Sequence, residues 1–460
     1  MKKKLFVLFL LFTFVLTSAF GCKNASQAPA TATKTVTITY WRVFDDQDAF
    51  ADIMSSYQKL HPNVNFEYKK FRYDEYEKEL LNALAEDRGP DIFSIPSSWL
   101  REYKPKISPM PDTVSLVYST TKGSIKKEVV QELRTTKTLS LRDLKSNFVD
   151  IVNNDVVLND ENGKARIFGL PLYLDTMAMF YNRDLFNNAG IAQAPQYWNE
   201  EFQQDVKKLT KVDNKGTIIQ SGVSLGGSTN INRSADILSL LMMQNGADMM
   251  RDSSVAFHTL PEGYQSDYNP GMEALRFYTD FSNPGKEVHC WDNSMDNSLV
   301  LFSSGKLAMT FGYSYDLPTI KSQGPKLNFS VAPMPQIKGK AQINYANYWV
   351  ETVSNKSKNK DIAWDFIQYA TSLDNVKSYL KVAKRPTALS NNDLIKEESD
   401  DLDIGVFAQQ TLTAKSWYKG KDTLAEEKTF GDMIDLAVKG TMSLSDIITQ
   451  GAAKVQQTID

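Results

Sequence analysis

The stretch Thr35-Val-Thr-Ile-Thr-Tyr-Trp41, followed by Tyr57-Gln-Lys-Leu-His-Pro-Asn-Val-Asn-Phe-Glu-Tyr68 and Gly89-Pro-Asp-Ile-Phe-Ser-Ile-Pro-Ser-Ser-Trp99, decides the fold class. Val36, Ile38 and Tyr40 alternate with Thr37 and Thr39, the period-two pattern of a strand. Phe50, Ile53, Met54, Tyr57 and Leu60 then form one helical stripe that ends at His61-Pro62-Asn63. Val64 to Phe71 reads as a strand, Tyr73 to Glu86 as a helix with Tyr76, Leu80, Leu81 and Leu84 inward, and Asp91 to Ile95 as a buried strand. A βαβαβ order predicts an open parallel sheet and an α/β protein.

Working outward, the alternation returns at Gly222 to Leu225 (strand), Ala235 to Asn245 (helix), Leu307 to Phe311 (strand), Tyr345 to Val353 (strand) and Asp361 to Ser372 (helix). Two α/β lobes are expected, separated by long polar loops at Thr113 to Thr138 and Ser253 to Pro270. A chain of 460 residues, 42% hydrophobic and 23% charged, is long enough for two or three domains. Lys and Arg number 52 against 55 Asp and Glu, a net charge of −3 that argues against nucleic-acid binding.

The N-terminus reads as an export signal, with Lys2, Lys3 and Lys4 ahead of the apolar run Leu5 to Phe20. Its sixteen residues would make about 24 Å of helix, short of the ~30 Å hydrocarbon layer. Ala19-Phe20-Gly21-Cys22 resembles the lipobox of bacterial lipoproteins, so 1–21 is expected to be cleaved and Cys22 lipidated. The segment 22–34 is small, polar and Pro-containing, the composition of a flexible tether.

Several chemical motifs fail on inspection. Gly222-Val-Ser-Leu-Gly226 matches G-x-S-x-G, but Gly227 to Arg233 separate it from the next helix, where a nucleophile elbow needs the helix at once. Asn159 to Gly163 and Asp213 to Gly216 lack the first carboxylate of a calcium loop and read as turns. With two cysteines and three histidines, no metal site is expected, nor any cofactor or catalytic residue. What does carry a signal is the pairing of rings with polar residues where strands end: Trp41 to Asp46, Ser97-Ser98-Trp99, Tyr313 to Asp316 and Tyr348-Trp349. Ligands of open α/β sheets bind outside those ends, and flat rings flanked by directional hydrogen-bonding groups suit a sugar.

With Ile167 to Ile191 (IFGLPLYLDTMAMFYNRDLFNNAGI), Lys306 to Ser314 (KLAMTFGYS) and Asn355 to Ser372 (NKSKNKDIAWDFIQYATS) added in order, the chain from Thr35 to Asp460 resembles the family 1 extracellular solute-binding proteins, the sugar receptors of ABC importers related to maltose-binding protein. The resemblance implies a type II periplasmic-binding-protein-like fold: two Rossmann-like lobes joined by a three-crossing hinge. It implies lobe 1 from 35–176 and 340–392 and lobe 2 from 177–339 and 393–460, with crossings near Thr176 to Ala178, Pro335 to Lys340 and Ser390 to Ile395. It implies ligand contacts from Arg42, Phe44, Asp45 and Asp46, from Ser97, Ser98 and Trp99, and from Tyr173, Asp175, Ser228, Asn230, Tyr313 and Tyr315. Trp349 and Arg385 join them, and a C-terminal ring is ambiguous between Trp417 and Phe430. Ser97 and Ser98 stand where maltodextrin sites carry charged residues, which speaks against maltose itself. The expected protein is a monomeric, lipid-anchored receptor on the extracytoplasmic face of the cell membrane, passing a carbohydrate to permease subunits. Two alternatives are kept: the same role for a polyamine, peptide or other polar solute, and a glycoside hydrolase.

Overall fold

The computed structural model describes residues 34–123, 127–263 and 268–459. The expected signal segment 1–21, the lipidation site Cys22 and the tether up to residue 33 lie outside the described residues. The opening stretch folds as β1 (Val36–Arg42), α1 (Ala51–Leu60), β2 (Val64–Lys70), α2 (Tyr73–Ala85) and β3 (Ile92–Pro96). β1 lies between β2 and β3 and is parallel to both, with Ile38 opposite Phe66 and Tyr40 opposite Ile92. Trp349–Ser354 returns antiparallel along β3, and Ile107–Ser108 closes that edge. The apolar stripes of both helices face this sheet: Ile53, Met54 and Tyr57 of α1 and Tyr76, Leu80 and Leu84 of α2 are buried in a first core.

A second core is built around Ala178–Asn182, antiparallel to both Met309–Gly312 and Phe329–Ala332. The strand expected at Gly222 to Leu225 does not form a ladder. The segment touches the sheet through a parallel bridge between Ser221 and Leu307 and through Ser224 N donating to Met309 O at 3.1 Å. Its small residues are dictated by close packing. A Cβ on Gly222 would lie 2.5 Å from the Val206 carbonyl oxygen, and Gly226 has φ +100°, where a Cβ of its own would lie 2.6 Å from Ser282 N. Ser224 is fully buried against the Thr310 hydroxyl at 3.0 Å, a packing residue.

The expected loop from Thr113 to Thr138 is instead a hairpin, Thr113–Lys122 against Glu128–Lys137, in register from Thr113↔Lys137 to Lys122↔Glu128. β-Branched residues recur along both strands, as in Thr113-Val114, Thr120-Thr121, Val129-Val130 and Thr135-Thr136, and favour the extended backbone, and Val114, Leu116 and Val117 are buried. Within the loop expected from Ser253 to Pro270, Ser254–Val255 pairs with Met250–Arg251.

The chain passes between the cores at a small three-stranded sheet, Ala414–Lys415, Asn344–Asn347 and Asp175–Thr176. Tyr173 and Leu174 belong to the first core and Met177 to the second. Around the return expected near Pro335 to Lys340, Met334 and Ile343 pack on the second core, and Ala346 and Tyr348 on the first. After the segment Ser390 to Ile395, Leu394 packs in the first core, Phe407 in the second and Ala414 again on the first. Chain direction alone does not mark these points. They become visible only when the buried neighbours of each strand are known.

Candidate functional site

The carboxyl ends of β1 and β3 and the start of Trp349–Ser354 place Phe44, Trp99 and Trp349 at one mouth of the first lobe, and α2 adds Tyr73 at its first residue. Tyr315, in the short 3₁₀ turn Ser314–Asp316 after the strand Met309–Gly312, comes from the other lobe. Together with Ser98, Asn347, Arg233, Leu424 and Glu427 they wall a cavity of about 270 Å3. Phe44 and Tyr315 stack across it, centroids 5.8 Å apart and planes 11° apart, while Trp349 meets Phe44 edge-on at 5.2 Å. Trp99 is braced from behind by a parallel Tyr103 ring at 5.5 Å. Rings from both lobes converging with a few polar groups make a compartment suited to a flat guest with hydrogen-bonding edges.

A smaller polar compartment of about 50 Å3 adjoins it, lined among others by Ser97, Ser98, Asp155, Arg233, Asp236, Asn347, Lys419 and Glu426. Arg233 starts the helix Ser234–Asn245 in a left-handed conformation (φ 56°), which turns its side chain back onto the first helical turn. It grips Asp236 through two hydrogen bonds, Nε to Oδ2 at 2.8 Å and Nη2 to Oδ1 at 2.7 Å, and reaches Glu427 at 2.8 Å. Asp155, from the first lobe, accepts from Ser416 at 2.7 Å and from Tyr348 at 2.8 Å and is ion-paired with Lys419. Because Ser416 and Lys419 follow the third crossing, this is a polar clasp between the lobes.

Of the residues expected at the site, Phe44, Ser97, Ser98, Trp99, Tyr315 and Trp349 line these two compartments. The others do not reach them, for identifiable reasons. Arg42 shares the inward parity of Ile38 and Tyr40 along β1 and is 2% exposed. There it pairs with Asp45 at 3.2 Å and Glu351 at 3.3 Å, over the Phe50 ring at 4.7 Å. Asp45 is taken up by Arg42 and by the Tyr379 hydroxyl at 2.8 Å. Asp46 is exposed and pairs with Lys70 at 2.9 Å. Tyr173 and Tyr313 are buried, the latter donating to Asp236 at 2.6 Å. Ser228 donates to Asp435 at 2.6 Å. Asn230 donates to the carbonyls of Asp292 and Met295 and accepts from the buried Trp291. Arg385 lies behind Phe44, its guanidinium 5.8 Å from that ring and 3.2 Å from the Ser314 hydroxyl.

Asp175 is fully buried in the hinge sheet. Its carboxylate accepts from Ser314 N at 2.9 Å, Ser314 Oγ at 2.6 Å and Thr176 N at 3.0 Å, so its lone pairs serve the link to the second lobe. Burial pushes its pKa up to about 6, against the lowering influence of Arg385 and of these hydrogen bonds. Burial likewise pushes Asp316 up to about 7. Neither C-terminal ring enters the compartments: Phe430 and Trp417 pack on each other at 5.6 Å in the second core, and Leu424 takes the cleft position.

Sequence reading missed Tyr73, Asn347, Arg233, Asp236, Glu426 and Glu427. A usable signal existed for one pair only, since Arg233 and Asp236 sit three apart at a helix start. Among the described residues no group of three His, Cys, Asp or Glu is placed to hold a metal ion, and no helix is long and apolar enough to cross a membrane.

Residues 35–377 match the family of bacterial extracellular solute-binding proteins, and the chain belongs to that family. The multiple sugar-binding protein of Streptococcus mutans is 25% identical over 235 residues, which cover 50% of this chain and 53% of that protein. The solute-binding protein of an ABC transporter from Thermotoga lettingae, solved with α-D-tagatose, superposes with a TM-score of 0.64 at 18% identity over 93% of this chain and 100% of its own. An ABC substrate-binding protein of Listeria monocytogenes in complex with cycloalternan gives 0.67 at 14% identity over 92% and 99%. The fold is therefore the type II periplasmic solute-binding architecture that the sequence led us to expect, and membership places the protein's solute-binding role outside the cytoplasm.

Proposed function

We propose that this protein is the substrate-capturing component of an ABC importer, and that it holds a mono- or oligosaccharide between its lobes and delivers it, chemically unchanged, to a membrane permease. The observation that carries this is the ring-walled cleft, with Phe44, Tyr73, Trp99 and Trp349 on one side and Tyr315 on the other. Stacking on such rings contributes about 0.5–1.5 kcal/mol per contact and favours sugar C–H faces, while Ser98, Asn347, Arg233 and Glu427 offer partners for hydroxyls. Contacts completed only when both lobes engage the guest bias the hinge toward closure. The names of the sugar-binding relatives point the same way. In this reading the two cores are the two moving lobes, the protein acts as a monomer without cofactor, and Cys22 carries the lipid that holds it at the extracytoplasmic face.

The same role for a polyamine or peptide draws support from Asp236, Glu426 and Glu427 at the polar end of the cleft. A thermal-shift screen of the mature protein against monosaccharides, oligosaccharides and polyamines separates the two. A guest at about 100 times its dissociation constant adds roughly 2.7 kcal/mol of stability, a clear rise in melting temperature. Stabilisation by polyamines and by no saccharide would overturn the carbohydrate assignment.

A further inference from the structure

The polar compartment holds one more carboxyl group than it has cations, with Asp155, Asp236, Glu426 and Glu427 against Arg101, Arg233 and Lys419. Arg233 is shared by two carboxylates, Asp236 and Glu427, and Lys419 is taken by Asp155. Glu426 is left over. It is 5% exposed, lines the compartment, and finds no hydrogen-bond or ion-pair partner for its side chain among the described residues. It stands in the first half of the long helix Thr423–Lys439, whose packing against the second core fixes its direction. The charged groups acting on it are Glu427 and Asp236, which disfavour its ionisation, and Arg233, which favours it. Tyr345 and Tyr418 also line the same compartment, and the exposed Arg101 stands at its edge. Burial is the largest influence and raises the pKa of Glu426 well above the ordinary carboxyl range.

We propose that this compartment receives an ammonium group, so that the guest is an amino sugar or a short saccharide bearing a free amine. The proposal rests on the carbohydrate reading above and names the class of sugar. A hydroxyl brings no charge to a site with an unmatched carboxyl, whereas an ammonium brings three donors and the missing positive charge. The size agrees: about 50 Å3 has room for a few waters or one small substituent and not for a ring. Connectivity agrees as well. Ser98, Arg233, Asn347, Thr423 and Glu427 line both compartments, so a substituent entering the polar one can belong to a ring seated among the aromatics. Binding an ammonium beside Glu426 makes the carboxylate the favoured form, and the displaced proton leaves to solvent.

Isothermal titration of the mature protein at pH 7 with chitobiose, di-N-acetylchitobiose, cellobiose and spermidine tests this. Chitobiose is expected to bind at least tenfold more tightly than its acetylated and neutral counterparts. Repeating the chitobiose titration at pH 5.5, where its amines are fully protonated, in two buffers of different ionisation enthalpy is expected to show release of a proton. Glu426→Gln is expected to reduce the preference for chitobiose over cellobiose to near unity, and the proton count on the parent protein stands even if that variant does not fold. Equal or tighter binding of cellobiose or di-N-acetylchitobiose, or chitobiose binding with no proton released, overturns the amine assignment and leaves the carbohydrate reading intact. Binding of spermidine alone, or of none of the four, overturns both.

Discussion

Asp175→Asn separates a structural from a ligand-contacting role for a residue that the family resemblance implied at the site. The side-chain oxygen of asparagine can still accept from Thr176 N and, at 3.2 Å, from Ser314 N, and its amide nitrogen can donate to Ser314 Oγ, so the titratable charge is lost together with the second acceptor of Ser314 N. In the parent protein the carboxyl titrates at about 6, against about 3.9 in an unfolded chain. A carboxyl raised by folding binds its proton more tightly in the native state, so its contribution to stability is full below pH 4 and is lost as pH rises through 6. The difference corresponds to roughly 3 kcal/mol between pH 4 and pH 7. Asp316, pushed up to about 7 by burial with Asp175 among the contributors, should have its own slope softened when that neighbouring charge is removed. Urea denaturation followed by far-UV circular dichroism, at half-unit steps from pH 4 to pH 8, is expected to give Asp175→Asn a flatter profile by about that amount. Its affinity for the identified sugar is expected to stay within about twofold of the parent's, since the carboxylate faces Ser314 and not the cleft. A variant with the parent's full pH slope would refute the linkage argument, and one that folds normally yet binds sugar a hundredfold more weakly would return Asp175 to the binding surface.

Three further outcomes are expected. In a double-mutant cycle of Phe44→Ala and Tyr315→Ala, urea denaturation without sugar should show a coupling of about 0.5–1.5 kcal/mol from the stack across the cleft; a coupling of zero would mean the rings do not meet in solution. Arg42→Met strands Asp45 and Glu351 in the first core and should cost about 3–5 kcal/mol, so a loss below about 1 kcal/mol would contradict the buried network. Cys290 is fully buried, and burial pushes its thiol up to about 12; a disulfide reagent at pH 8 should label it only after unfolding, and prompt labelling of native protein would show that the core around it opens.

The fold was legible because its first hundred residues state it twice, in period and in order. Ile38 and Tyr40 alternate against the core, the stripes of α1 and α2 repeat at helical spacing, and the βαβαβ order leaves little topological choice. Where the pattern was polar the reading was weaker. The hairpin strands Thr113–Lys122 and Glu128–Lys137 bury only Val114, Leu116 and Val117, so their threonines, serines and charges read as loop, although β-branched residues recur along both strands. The hinge crossings were not legible in detail because a crossing has no composition of its own. Only the change of core from Ile343 to Ala346, and from Leu394 to Phe407, marks it.

The site was half legible for a reason the strand geometry makes plain. Rings at strand ends could be found because an aromatic beside polar residues at the end of a sheet has few other places to go, and Phe44, Trp99, Tyr315 and Trp349 do wall the cleft. Charges at the same ends could not be assigned, because one residue of parity decides between cleft and core. Arg42 continues the inward face of β1 and is consumed by Glu351, which lies more than three hundred positions along the chain, whereas Arg233, on a left-handed residue at a helix start, turns toward the cleft and is held there by Glu427. A charged side chain in such a protein is a candidate ligand contact only if the distant partner that would neutralise it is absent or already taken. By that condition Arg42, Asp45 and Asp175, each held by a buried partner, are weaker candidates than Glu426, whose nearest charged neighbours are already committed to each other.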